Sequence, residues 1–241
     1  MDLLSASQPG YPYRKLPFAT IRLLHIFGGV GTDLVCDLEV ASITKLPTYE
    51  ALSYCWGDSS DRYPIKCNGV AGLAITKNLH DALLRLRMPS KPRLIWADAI
   101  CINQEDIEER GSQVHLMGDI YRLASSVVIW LGGPVEVDGQ DLWPIPPLLE
   151  AAQRTLKRTE LPIRHGGSDW VRHVLRPDYT TNGDLNDKRW NAIIKSLILL
   201  LHRPWFLRTW IIQEVALAPR AIVLCGSHSA NWEDFYRSVN Y

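Results

Sequence analysis

Glu214 is the residue with the most chemical leverage in this 241-residue sequence. It stands in Trp205 to Ala218, a stretch that reads as a helix with Pro204 in the tolerated first-turn position. On such a helix Ile211, Trp210 and Leu207 lie three, four and seven positions before it, and Ala218 four positions after. That spacing puts a carboxylate in the middle of an apolar stripe, with Ile212, Val215 and Leu217 flanking it. A buried carboxylate is costly, so it must be paired, protonated or turned to a polar cleft. Paired with an arginine such as Arg110 or Arg203 it would be structural. Facing a cleft, it could stabilise a developing positive charge.

Asp98 poses the same question inside Arg93 to Ile102, an otherwise apolar run that reads as a buried strand. It either accepts backbone N–H bonds near the strand's end or serves a ligand. Asn103 and Gln104 open the following strand-to-helix loop, and in parallel sheets such loops form the ligand crevice. Turn and cap chemistry would explain them equally well. Tyr54, Trp56, Gly57 and Asp58 close an earlier strand, where an aromatic pair could stack on a planar ring or pack beneath a later segment. Arg110 and Gln113 could reach a phosphate or Asp98, or line an exposed helix face. Other chemistries lack their signatures. Gly28-Gly29-Val30-Gly31 has neither the Lys-Ser/Thr ending of a phosphate loop nor dinucleotide spacing. There is no Gly-x-Ser-x-Gly elbow, and seven scattered His show no metal-type pairing.

The elements that must position these residues alternate in type. Strands are expected at Ile21 to Ile26, Leu34 to Val40 and Ala51 to Trp56, with glycines 28, 29 and 31 at a hairpin turn. Asn68-Gly69 marks a second hairpin. Thr76 caps a helix whose Leu79, Ala82, Leu83 and Leu86 make one face. Asp106 and Glu109 form a capping pair for the next helix. Val127 to Leu131 and Ala221 to Cys225 read as further buried strands, with an apolar helix at Trp190 to Leu201. A short helix is expected near Leu148 to Lys157. The alternation predicts an α/β fold with a mainly parallel sheet. Residues 1–17 read as a loose lead-in and 18–241 as one domain, with an insertion at about 134–190.

Composition narrows the function. Lys plus Arg and Asp plus Glu both number 26, so a phosphate-neutralising excess is missing and nucleic acid is not the expected partner. Five cysteines without a CxxC pair indicate neither a zinc ribbon nor a disulfide scaffold, so a reducing, cytoplasmic setting is expected. The longest aliphatic run, Leu197 to Leu201, is far below the ~20 residues of a membrane span. Nine Trp against four Phe is the compositional oddity.

Three segments together resemble the fungal heterokaryon-incompatibility (HET) domain. They are Tyr49 to Asp58, reading YEALSYCWGD; Ile95 to Gln104, reading IWADAICINQ, continued by Val-Ile-Trp-Leu-Gly at 128–132; and Arg208 to Glu214, reading RTWIIQE. The resemblance implies a role in non-self recognition and programmed cell death. It also implies a distant relation to Toll/interleukin receptor (TIR) domains, hence a flavodoxin-like sheet. Some TIR domains cleave NAD at the nicotinamide–ribose bond with a glutamate four positions after a Trp, the spacing of Trp210 and Glu214 here. By that resemblance Glu214 is the catalytic candidate. Tyr54, Trp56, Gly57, Asp58, Asp98, Asn103 and Arg110 are the candidates for contacting NAD, which would be a substrate rather than a resident cofactor. No metal is implied. The rival expectation is a non-enzymatic module that oligomerises or recruits another incompatibility protein. HET domains often belong to longer chains, so a truncated form is also expected.

Overall fold

The computed structural model describes residues 11–150 and 185–240. In chain order the strands are β1 Thr20–Ile26, β2 Val35–Ser42, β3 Glu50–Tyr54, β4 Arg62–Cys67, β5 Val70–Thr76, β6 Arg93–Trp96, β7 Ser126–Trp130, β8 Glu136–Val137, β9 Gln140–Asp141, β10 Ala221–Cys225 and β11 His228–Asn231. The helices are α1 Lys77–Leu86, α2 Asp98–Cys101, α3 Ile107–Leu123, α4 Leu185–Leu201, α5 Ile211–Ala216 and α6 Trp232–Asn240. Residues 145–150 are also helical, and Pro204–Leu207 is a single 3₁₀ turn.

The main sheet runs β11-β10-β7-β3-β6-β1-β2-β4-β5. Its centre is parallel: β10 with β7, β7 with β3, and β3 with β6. These four strands follow one another in the chain as β3, β6, β7, β10, yet lie in space as β6-β3-β7-β10. That second-first-third-fourth order is the flavodoxin-like winding, with its switch point between β3 and β7. Every residue of β7 is buried, as a strand covered on both faces requires.

The N-terminal strands make a wing that is antiparallel except where β2 meets β4 in parallel. β1 pairs with β2 over its whole length and with β6 on its other side. β4 and β5 form the expected hairpin, with Asn68 and Gly69 at φ 49° and 73°, the pair of positive values a two-residue hairpin turn needs. β2 and β4 join through two residue pairs only, Val35 with Lys66 and Cys36 with Cys67.

The helices follow local rules. Thr76 accepts from the Leu79 N–H to cap α1, and Leu79, Ala82, Leu83 and Leu86 are buried. Asp106 accepts from the Glu109 N–H to cap α3. Glu109 does not complete the expected reciprocal cap. Its carboxylate instead takes both Nη1 and Nη2 of the buried Arg22, and it accepts the Asn103 N–H at 2.6 Å.

Two elements differ from the sequence reading. The apolar run Arg93 to Ile102 is strand only to Trp96, after which Ala97 turns the chain into α2, so Asp98 opens a helical turn rather than sitting in a strand. A short run that is apolar on all sides does not by itself separate strand from buried helix. Trp205 to Ala218 is not one helix either. The 3₁₀ turn ends at Leu207, Arg208 and Trp210 take non-helical and bridging roles, and α5 begins at Ile211. The expected insertion at 134–190 contributes β8, β9, the helical 145–150 and the start of α4. Residues 151–184, including most of the helix expected near Leu148 to Lys157, and the lead-in residues 1–10 lie outside the described residues.

Candidate functional site

The break before α5 determines where Glu214 points. On one continuous helix its apolar neighbours would be inside. Instead Leu207, Trp210, Ile212 and Leu217 are substantially exposed, while Glu214 has no exposed surface at all. The carboxylate faces inward with Ile211 and Val215 half-buried beside it, while four of the apolar side chains face outward.

Inside, Glu214 is held at three points. Ser53, on β3, donates its hydroxyl to Oε2. Arg208 lays Nη2 on Oε1 at 3.0 Å and Nη1 near Oε2 at 3.4 Å. Ser53 in turn accepts from Trp205 Nε1 at 2.8 Å, and both Ser53 and Trp205 are buried. The loop between the 3₁₀ turn and α5 lets Arg208 fold back over a residue six positions later. The guanidinium keeps some exposure, 22% for its side chain against 1% for that of Glu214, so Arg208 closes the site from the solvent side.

A second carboxylate lies nearby. Asp98 accepts from Trp56 Nε1 at 2.9 Å and from the Ala99 N–H at 2.8 Å. Burial pushes the Asp98 carboxyl above its ordinary range, opposed by Trp56, Tyr54 and the charge of Arg208. Burial likewise pushes Glu214 up, opposed by Arg208 and Ser53 and reinforced by the negative charge of Asp98. Arg208 thus pairs directly with the buried Glu214, while the half-buried Asp98 feels its charge without an ion pair. The phenols of Tyr54 and Tyr121 are raised well above their ordinary range, first by burial, then by these carboxylates. The Tyr54 hydroxyl lies beside the Asp98 carboxylate without a well-aligned hydrogen bond, whereas that of Tyr121 donates to the Leu52 carbonyl at 3.3 Å.

The other candidates divide. Tyr54 is buried at the end of β3, and Trp56 is 44% exposed above Asp98. Gly57 takes φ 79° with Asn78 Cβ 3.1 Å from where a Cβ would stand, so it serves a turn that only glycine fits closely. Asp58 is exposed and accepts the N–H and hydroxyl of Ser60, which hold its carboxyl below the ordinary value. Asn103 accepts the Glu105 N–H at 3.2 Å, a local turn contact. Arg110 is exposed on the first turns of α3. Arg203 donates to the carbonyls of Leu131, Gly133 and Pro134 instead of reaching Glu214. The structure therefore brings Tyr54, Trp56, Asp98 and Glu214 together, and leaves Asp58, Asn103 and Arg110 in contacts of their own.

Ser53, Trp205 and Arg208 were not singled out from the sequence as site residues. Helical spacing hid Arg208, because a position six residues before Glu214 is off its face on a continuous helix. A break after Leu207 was the missing signal. The cluster lies where the chain leaves β3 and β6, at the carboxyl ends of parallel strands beside the switch point, the place where open α/β sheets bind ligands. Among the described residues no group of three or more His, Cys, Asp or Glu could hold a metal ion.

Comparison with known proteins follows the same residues. The family described as Heterokaryon incompatibility protein (HET) matches residues 49–214, from the residue before β3 to the buried glutamate itself. Heterokaryon incompatibility protein 6, OR allele, of Neurospora crassa is 31% identical over 87% of this chain and 34% of its own length. The chain therefore spans about a third of that relative. No solved structure matches.

Proposed function

The chain belongs to the heterokaryon-incompatibility family, and from that premise we propose that it works in fungal non-self recognition leading to cell death, as a cytoplasmic signalling module held in a closed state. One observation carries this reading: both oxygens of Glu214 are occupied and its surface is fully buried. A carboxylate engaged in this way has no free face for a substrate. In this state the domain acts by association, with a second copy or another incompatibility protein, and not by turnover.

A second reading, cleavage of NAD, is favoured by the pairing of Glu214 with Asp98 beneath the half-exposed Trp56. Breaking the nicotinamide–ribose bond builds positive charge on the ribose, and buried carboxylates aimed at that charge lower the barrier. The C–N bond breaks with its electron pair leaving on nicotinamide. Water then supplies the oxygen of the free ribose and releases a proton. In this reading Arg208 must first swing off Glu214. Trp56 would stack on the nicotinamide, with Tyr54 and Gly57 shaping the turn around it, and Asp58, Asn103 and Arg110 would meet polar parts of the dinucleotide.

Nicotinamide release distinguishes the two readings, measured on the free protein and on the protein clustered by a fused oligomerising scaffold. Glu214→Gln, checked for folding by circular dichroism, is the control. The closed-module reading expects no release in either arrangement and concentration-dependent self-association by sedimentation. Release that disappears in Glu214→Gln would overturn it in favour of the enzyme.

A further inference from the structure

Two of the five free cysteines are register partners at the short joint between β2 and β4. Cys36 on β2 and Cys67 on β4 are register partners in a parallel pairing, 2% and 0% exposed. Register partners on neighbouring strands lie ~4.8 Å apart and present their side chains to the same face. That spacing falls inside the ~4.4–6.8 Å between Cα atoms that a disulfide spans. The backbone at this point is pinned from both sides: the Asn68 N–H donates to the Cys36 carbonyl at 3.0 Å, and the Leu38 N–H donates to Asn68 Oδ1 at 2.9 Å.

We propose that Cys36 and Cys67 form an oxidation site, at which a hydroperoxide closes a disulfide across the β2–β4 joint. The site has an attacking and a resolving thiol. The neighbouring Cys36 thiol pulls Cys67 down against the opposing effect of burial, and Cys67 together with burial pushes Cys36 up; Cys36 Sγ donates to the Lys66 carbonyl at 3.5 Å and Cys67 Sγ to Asn68 Oδ1 at 3.4 Å. Cys67 is buried but ends its strand beside the exposed Asn68-Gly69 turn, so local opening of that hairpin tip is the route by which a small hydroperoxide would reach it. The Cys67 thiolate attacks the peroxide O–O bond, taking one oxygen to become a sulfenic acid and releasing hydroxide. The Cys36 sulfur then attacks that sulfenic sulfur, the S–O bond breaks and water leaves. In sum, two thiols and one hydrogen peroxide give one disulfide and two waters, with two electrons passing from sulfur to oxygen.

The consequence is mechanical. Two residue pairs and the Asn68 side chain join the β4–β5 hairpin to β2, and β5 runs directly into α1, whose Asn78 ties the Cys55 carbonyl to Trp130 Nε1. A covalent link at Cys36–Cys67 locks that hairpin to the sheet.

The test oxidises the purified chain with hydrogen peroxide, traps remaining thiols by alkylation and maps peptides by mass spectrometry without reduction. The expected result is a Cys36–Cys67 linked peptide, loss of two of the five titratable thiols, slower amide exchange in β4 and β5, and reversal of all three by dithiothreitol. Cys36→Ser and Cys67→Ser should each abolish the linked peptide. Because either variant could fail to fold, the peptide map of the unaltered chain stands as an independent readout. A bridge from either residue to Cys101, a bridge between two chains, or both thiols still free when exposed control peptides are fully oxidised would each overturn the proposal.

Discussion

Glu214 depends on Arg208 for its charge. Removing the guanidinium leaves a buried carboxylate with Ser53 as its only hydrogen-bonding partner, and breaking a buried pair in this way costs roughly 3 kcal/mol. The cost has a definite pH dependence. Glu214 titrates above its ordinary value in the folded state, so its protonation favours folding at low pH, and that contribution is lost as pH rises through the folded pKa. Arg208 opposes the upward shift, so Arg208→Ala raises the folded pKa further. Urea denaturation should therefore find the deficit of Arg208→Ala relative to the unaltered chain smaller at acid than at alkaline pH. A deficit of the same size at both would show that Glu214 is not the group concerned. Ser53→Ala removes a partner from both Trp205 and Glu214 and should cost ~1–3 kcal/mol by the same measurement.

At the scale of elements, caps and turns carry the sharpest expectations. Asp106→Ala removes the side chain that caps α3 and should lower stability by ~1 kcal/mol. Gly226 follows β10 at φ 54°, and a Cβ there would stand 2.9 Å from the Pro134 backbone. Gly226→Ala combines an unfavourable conformation with a clash against atoms that cannot rotate away, and should cost ~2 kcal/mol or more, read as a fall in the denaturation midpoint. The caps at Thr76 and Asp106 and the hairpin at Asn68-Gly69 were legible because their signals are local. The turn into α2 and the break before α5 were not. In both places an apolar run satisfies more than one periodicity, and packing against the sheet selects between them. The tryptophans illustrate the same limit. Trp96, Trp130 and Trp205 are core, while Trp56 and Trp210, from the same family signatures, are about half exposed.

For the whole molecule, the sheet divides into a parallel centre and a mainly antiparallel wing of unequal attachment. β3 pairs with β7 over five residues and β7 is wholly buried, whereas β4 pairs with β2 over two residues and otherwise only with the edge strand β5. Native-state hydrogen exchange should find the amides of β3 and β7 opening only with global unfolding and those of β4 and β5 opening at lower free energy. Equal protection across all four strands would contradict the division. Among the described residues no helix is long and apolar enough to cross a membrane, and the exposed Leu207, Trp210 and Ile212 leave an apolar rim beside Arg208.

The sequence alone determined the α/β alternation, the caps and hairpins and the family, and marked Glu214 as a carboxylate that needs a partner, because these rest on periodicity, turn chemistry and long ordered motifs within continuous stretches. It also brought Tyr54, Trp56 and Asp98 into consideration as members of separate signatures. Only the tertiary structure decided that Arg208 and not Arg110 or Arg203 pairs with Glu214, that Ser53 and Trp205 complete its hydrogen bonds, and that the carboxylate is enclosed. Those contacts join residues up to 161 positions apart. They depend on a backbone break whose direction is set by what β3 offers to pack against, and no local pattern encodes that.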